Sequence, residues 1–363
     1  KAGMPASAVE CNNKVLAGAE RQVRTAQGLS SPYKATDGER LYGHGQGKAD
    51  SGAVWCILGE EMYRTLDKLT DCQKVRSADK TITVRQVATG FIDDATGGVT
   101  SRWAEKDDEI ERLVMAAQRS AQIWVHLLHV SGGAVEPHKS VVDAAVWSFD
   151  DDGQPYLVSL EALDLENGLP FVNLATGEEE RIPSREQNDA EEYLGCWTRP
   201  DGSQIDEFKD LLRISETFEG IFKSNKLTKH QAKTLYESIW FPMMQYSLAA
   251  TQFTKDECEE LMKPVRRIAF ARMGFNRNMP PEVMHGPRKF GGYALREIYT
   301  EQGIDGIQQL IGHLRAQDKL GQLMEVLLSH VQLHSGHGTM SVLETCKVPI
   351  DYVPDSTFPT GVF

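Results

Sequence analysis

The chain has 363 residues, 40% of them hydrophobic and 25% charged, enough for two or three domains and unlike a generally disordered polypeptide. Its formal net charge of −13 excludes a histone-like overall grip on nucleic acid, so any phosphate contact must come from a local basic patch. No apolar run reaches the 18 residues of a membrane span. The six cysteines show no C-x-x-C spacing, which disfavours a zinc site or a disulfide framework and points to an intracellular setting, cytoplasm or nucleus. The first residue is Lys1, with no apolar signal-peptide stretch behind it, and the N-terminus is expected to be a cut rather than a start.

Gly43, Gly45 and Gly47 precede a stretch in which Val54, Trp55, Leu58 and Met62 share one face, which predicts a helix. Residues 81–92, TITVRQVATGFI, are rich in β-branched side chains and predict a strand. That strand runs into Asp93-Asp94, then Thr96-Gly97-Gly98 and Val99-Thr100, the pattern of a hairpin. Ile110, Leu113, Val114, Ala117, Ala121, Trp124 and Leu128 predict an amphipathic helix stopped by Gly132-Gly133. Residues 141–149 and 156–160 predict two strands joined by the turn Asp150-Asp151-Asp152-Gly153. The acid-rich segment 178–192 reads as a solvated loop. From Glu207 to about Val331 the period is helical, broken by Pro242, Pro264, Pro280-Pro281 and Gly291-Gly292. The fold class is therefore α+β. A mixed half over residues 1–200 ends near 199–202, a helical region covers 201–340, and residues 341–363 form an irregular tail.

Two adjacent carboxylates at a hairpin corner can meet one hard cation such as Mg²⁺, or can equally be a solvated turn. The glycine cluster fails the P-loop pattern, with Tyr42 and Ala49 in the wrong places, and fails the dinucleotide fingerprint. It remains either a flexible loop presenting Gln46 or a tight turn needing positive φ. Between Lys263 and Arg296 eight lysines and arginines face the single acid Glu282. Arg266, Arg267 and Arg272 lead this local inversion of sign, which suits a phosphate-tracking surface but also fits a plain solvated helix face. Phe275, Phe290 and Tyr293 could stack on bases or belong to a core. His330, His334 and His337 have no carboxylate or cysteine nearby in sequence to complete a metal site, and no G-x-S-x-G elbow is present.

Taken in order, these features resemble the palm of reverse transcriptases from non-LTR-type retroelements. Gly45-Gln46-Gly47 to Ser51 is similar to motif B, Phe91-Ile92-Asp93-Asp94 to motif C, and Pro137 to Lys139 to motif D. Tyr193-Leu194-Gly195 resembles the lead into the thumb. The resemblance implies a right-hand polymerase palm, an antiparallel sheet with packed helices, followed by a mostly helical thumb-like region. It implies RNA-directed DNA synthesis by two-metal nucleotidyl transfer, with Mg²⁺ or Mn²⁺ as cofactor and an RNA template, DNA primer and dNTPs as partners. Asp93 would be the chief metal ligand and Asp94 a weaker or outer one. Lys139 would assist the leaving pyrophosphate, and Gln46 and Gly47 would contact template or incoming nucleotide.

The chain departs from the family in four ways. No convincing copy of motif A is found in residues 1–40, the fingers are missing, Ser51-Gly52 stands where Ser-Pro is usual, and Phe91 stands where many members carry Tyr. A partial reverse transcriptase that is inactive alone is therefore expected. The alternatives are a non-catalytic nucleic-acid-binding remnant, or a helical protein-interaction scaffold in which 207–331 packs on a partner.

Overall fold

The computed structural model describes residues 24–25, 28–29, 51–71, 73–91, 94–100, 107–174, 176–224, 226–276, 278–316 and 318–335. The fold is α+β, with helices and small antiparallel two-stranded sheets. It divides into two compact units, one within residues 1–75 and 85–187, the other within 76–84 and 188–363.

The first unit opens with a minimal strand pair, β1 (Arg24–Thr25) and β2 (Gly28–Leu29). Helix α1 (Ser51–Leu69) turns Met62 and Leu66 inward with Trp55 and Leu58 half-buried, the face that the apolar spacing predicts. The strand expected over 81–92 is divided in two. β3 (Gln73–Arg76) pairs with β4 (Thr83–Gln86), whereas β5 (Ala88–Phe91) pairs with β6 (Asp94–Gly97). Val87 is the break: its side chain is buried and its carbonyl accepts the Gly98 amide at 3.3 Å, so the chain changes partner there.

Helix α2 (Asp107–Ser131) serves two cores in succession. Leu113, Val114 and Ala117 pack on a cluster around Val146, Leu163 and Leu169, while Ile123, Trp124 and Leu127 pack beside Leu66 and Val87. β7 (Trp147–Phe149) and β8 (Pro155–Leu157) form the expected hairpin, shorter than the sequence predicts. Its turn is held by the Asp150 carboxylate, which accepts from the amides of Asp152 at 3.0 Å and Gln154 at 2.7 Å. No strand begins at Val141, where Val142 makes only an isolated parallel bridge to Ser184.

The acidic segment 178–192 is a loop only in its middle, over 183–190, and is strand at 179–182 and 191–192. β9 (Leu169–Val172) pairs with β10 (Glu179–Ile182), in which Glu179 and Arg181 face solvent and Glu180 and Ile182 are half-buried. Glu180 accepts from Asn173 Nδ2 at 2.7 Å. Charged side chains are tolerated on such a strand because a two-stranded ribbon is all edge.

The second unit takes in the β11 (Glu191–Tyr193) and β12 (Cys196–Thr198) hairpin. The Trp197 amide donates to Glu207 Oε2 at 2.8 Å, and Glu207, only 4% exposed, belongs to α3 (Ile205–Ser224). That anchor ties the hairpin to the helical unit, so the 199–202 turn lies inside it. Helix α4 (Lys229–Leu235) starts in a Thr228/Gln231 capping box and passes through a wide π turn, Tyr236–Trp240, into α5 (Phe241–Leu248). The Phe241 amide bonds to Tyr236 O, and Pro242 follows at once.

Helix α6 (Lys255–Met273) has a Thr254/Glu257 capping box and ends at Gly274, φ 92°. α7 (Pro281–His285), α8 (Ile298–Ala316) and α9 (Lys319–Ser335) complete the unit. Phe222, Tyr236, Trp240, Phe241, Met244, Leu261, Val265 and Ile298 form one continuous core. The 76–84 segment joins α9 through the Ala78 amide on Ser329 Oγ at 2.9 Å and the His330 ring on Arg76 O at 2.7 Å. No helix among the described residues is long and apolar enough to cross a membrane.

Candidate functional site

The hairpin expected at the Asp-Asp pair is present. Phe91 stands opposite Asp94 and Gly90 opposite Ala95, with Ile92 and Asp93 between them in the chain. Asp94 is exposed on the first residue of β6. Asp93 lies outside the described residues, as do Gly45, Gln46 and Gly47.

What seats this hairpin is an aromatic pair that the sequence alone does not reveal. Tyr63 of α1 stacks on Trp124 of α2, ring centroids 5.5 Å apart and planes within 8°. Tyr63 presses on the strand at Gly90, where an added Cβ would stand 2.0 Å from the Tyr63 hydroxyl oxygen. A glycine inside a strand is the signal that could have exposed this close approach.

Lys139 is not at the entrance of a strand. It sits exposed on a single 3-10 turn, Pro137–Lys139, because Pro137 starts the turn and the backbone then runs extended at Ser140. Among the described residues no three His, Cys, Asp or Glu side chains gather as a metal-ligand set. The described part of the hairpin corner offers one carboxylate, Asp94. Mg²⁺ asks for about six oxygens, so this donor alone does not fit the ion.

The basic stretch is less uniform than its charge suggests. Arg266 pairs with Glu259 at 2.7 Å. Arg272 donates through Nε to Phe222 O and through Nη2 to Lys223 O, each at 3.2 Å, satisfying carbonyls at the end of α3. Arg296 lies 4.3 Å from the Phe241 ring centroid, bonds Gln245 and pairs with Glu301 at 2.8 Å. Arg267, Lys263, Arg288 and Lys289 are exposed. Of the three arginines singled out in sequence, only Arg267 is left facing solvent with no partner among the described residues.

The fold also recruits cations from outside the stretch. Lys229, His230 and Lys233 of α4 come together with Arg288, Phe275 and Tyr293 around one cavity. These α4 residues lie well before the basic stretch that starts at Lys263, so a count of charge along that stretch passes over them.

No protein-family model matches the chain. No curated protein matches it either.

Proposed function

We propose that this chain carries palm motifs B to D and the thumb-like region of a reverse transcriptase from a non-LTR-type retroelement. The observation that supports the reading is the β5–β6 hairpin, which brackets Asp93 between Phe91 and Asp94 after a glycine-rich run and before the Pro137–Lys139 turn. Order and spacing together carry the reading, because Asp-Asp alone is a common turn.

In this reading Asp93 and Asp94 present carboxylates for Mg²⁺ or Mn²⁺. Lys139 offers a proton or a positive charge to the leaving pyrophosphate. RNA template, DNA primer and dNTPs are the partners, and the basic face of the helical unit tracks their phosphates. Nucleotide addition waits on a further carboxylate to complete the ion's ligands. Primer extension tests this. The chain alone adds no dTMP to oligo(dT) on poly(rA) with either ion, while a polypeptide in which it follows a motif A strand and fingers extends the primer. There Asp93→Asn abolishes extension and leaves template binding nearly intact. Extension that survives Asp93→Asn overturns the reading.

The basic face also favours a second reading, a remnant that grips nucleic acid without chemistry. Template binding with no extension by the completed polypeptide would select it.

A further inference from the structure

The cavity in the helical unit has a chemical bias that packing does not require. It measures about 410 Å³. Lys229, His230, Lys233, Arg288 and Tyr293 line it, and the buried side chains of Met273 and Leu295 contribute to its lining. No carboxylate lines it among the described residues. The nearest acid in the ion-pair geometry is Glu237, 3.7 Å from Lys233, while Lys229 and Arg288 make no ion pair among the described residues. Gathering Lys229 and Arg288, both without an ion pair among the described residues, beside Lys233 raises their mutual repulsion, which an incoming anion relieves.

The aromatic lining narrows the anion further. Tyr293 is held edge-on by Phe275, centroids 4.6 Å apart and planes at 69°, yet stays 44% exposed. Phe290, two residues after Arg288 in the chain, is 79% exposed, with Lys289 Nζ 5.0 Å from its ring centroid. Lys229 is guided by the backbone itself. At Gly274 an added Cβ would stand 2.7 Å from Lys229 Cε, so the left-handed glycine that ends α6 also leaves the lysine its path. Cations that track a backbone beside exposed rings that accept a flat base are the combination single strands use.

We propose that this cavity holds one unpaired nucleotide of a single-stranded nucleic acid, its phosphate between Lys229, Lys233 and Arg288 and its base against Tyr293. A duplex keeps its bases stacked on each other and has none to offer the ring. The site uses none of the hairpin residues that carry the polymerase reading and stands without it.

Fluorescence anisotropy of the full chain with a labelled 12-nucleotide single strand, and with a blunt duplex of the same length, tests the proposal across a salt series. The single strand binds more tightly. Lys229→Glu with Arg288→Glu weakens it tenfold or more and flattens the log–log salt slope by about 0.7 for each phosphate that the variant no longer neutralises. Tyr293→Ala weakens it by about tenfold with the slope unchanged, and Tyr293→Phe restores it. Lys229→Gln with Arg288→Gln provides a milder pair should charge reversal disturb folding, checked by thermal melting. Equal binding of duplex and single strand, wild-type affinity in the charge variants, or full displacement by poly-glutamate at matched charge would each overturn the proposal. Anisotropy reads binding with no nucleotide addition, so its result and that of primer extension are read separately.

Discussion

The two units are held together in different ways. In the helical unit one continuous core runs from Leu211 to Ile298, and its largest side chains, Trp240, Tyr236 and Phe222, are fully buried. In the first unit the buried residues fall into two smaller groups, and strands of three or four residues depend on individual contacts. Gln122 Nε2 and Oε1 bond both polar groups of the Val172 backbone, at 3.1 and 2.7 Å. Gln187 reaches Val158 O, and Arg185 forks onto Asp143. Long helices bury apolar area along a whole face, whereas two-stranded ribbons are not independently stable and borrow stability from what they touch.

The contrast predicts where substitution hurts most. Trp240→Ala should destabilise the helical unit by about 3–5 kcal/mol, since it opens a large cavity and strips Ser215 Oγ of its indole donor at 3.3 Å. Urea unfolding followed by circular dichroism measures it, and a loss below about 1 kcal/mol would mean that the core re-forms around the gap. Gly90→Ala should cost about 1–3 kcal/mol by overpacking against Tyr63. Adding Tyr63→Phe should recover part of that loss, and a double-mutant cycle with no coupling would show that the hairpin is not seated on this ring.

The smallest effect is electrostatic. Arg199 beside Asp206 bonds the carboxylate and holds it below the usual carboxylate range, with Lys209 adding to the effect. A depressed carboxyl contributes stability that is present above its unfolded value, near 3.9, and is lost as pH falls through the lower folded value. Acid titration of Arg199→Gln should therefore show a shallower loss of stability below about pH 4 than the wild type. An identical acid limb would place the sensitivity in other carboxylates.

Much of this was legible in the sequence where periodicity is long. The apolar faces of 51–69 and 107–131, the helical run after residue 205, and the turn at 150–153 all carry local signals strong enough to survive folding. The β10 strand was hidden because its alternation is written in Glu and Arg rather than in apolar residues. The roles of Arg272 and Arg296 were hidden for another reason. A sequence displays a charge but not the carbonyl or carboxylate that folding brings to it, and both arginines are occupied by partners from other segments. The Tyr63–Gly90 contact, and the meeting of Lys229 with Arg288, are likewise products of tertiary structure.

The wide turn at Tyr236–Trp240 fixes something that no single side chain does. Ala232, Tyr236, Trp240, Met244 and Leu248 recur every four residues, and all are 0% exposed. In an unbroken α-helix each such step overshoots a full turn by about 40°, so the row would spiral away from the core before Leu248. The π turn gives back part of that rotation and lets two helical segments present one straight row. Pro242, which has no amide to donate, makes the widened spacing hard to close up. The segment behaves like a vernier: losing or gaining one residue between 236 and 240 would swing everything beyond it by about 100° and turn Met244 and Leu248 toward water. Side-chain identity has some latitude here, but chain length has none.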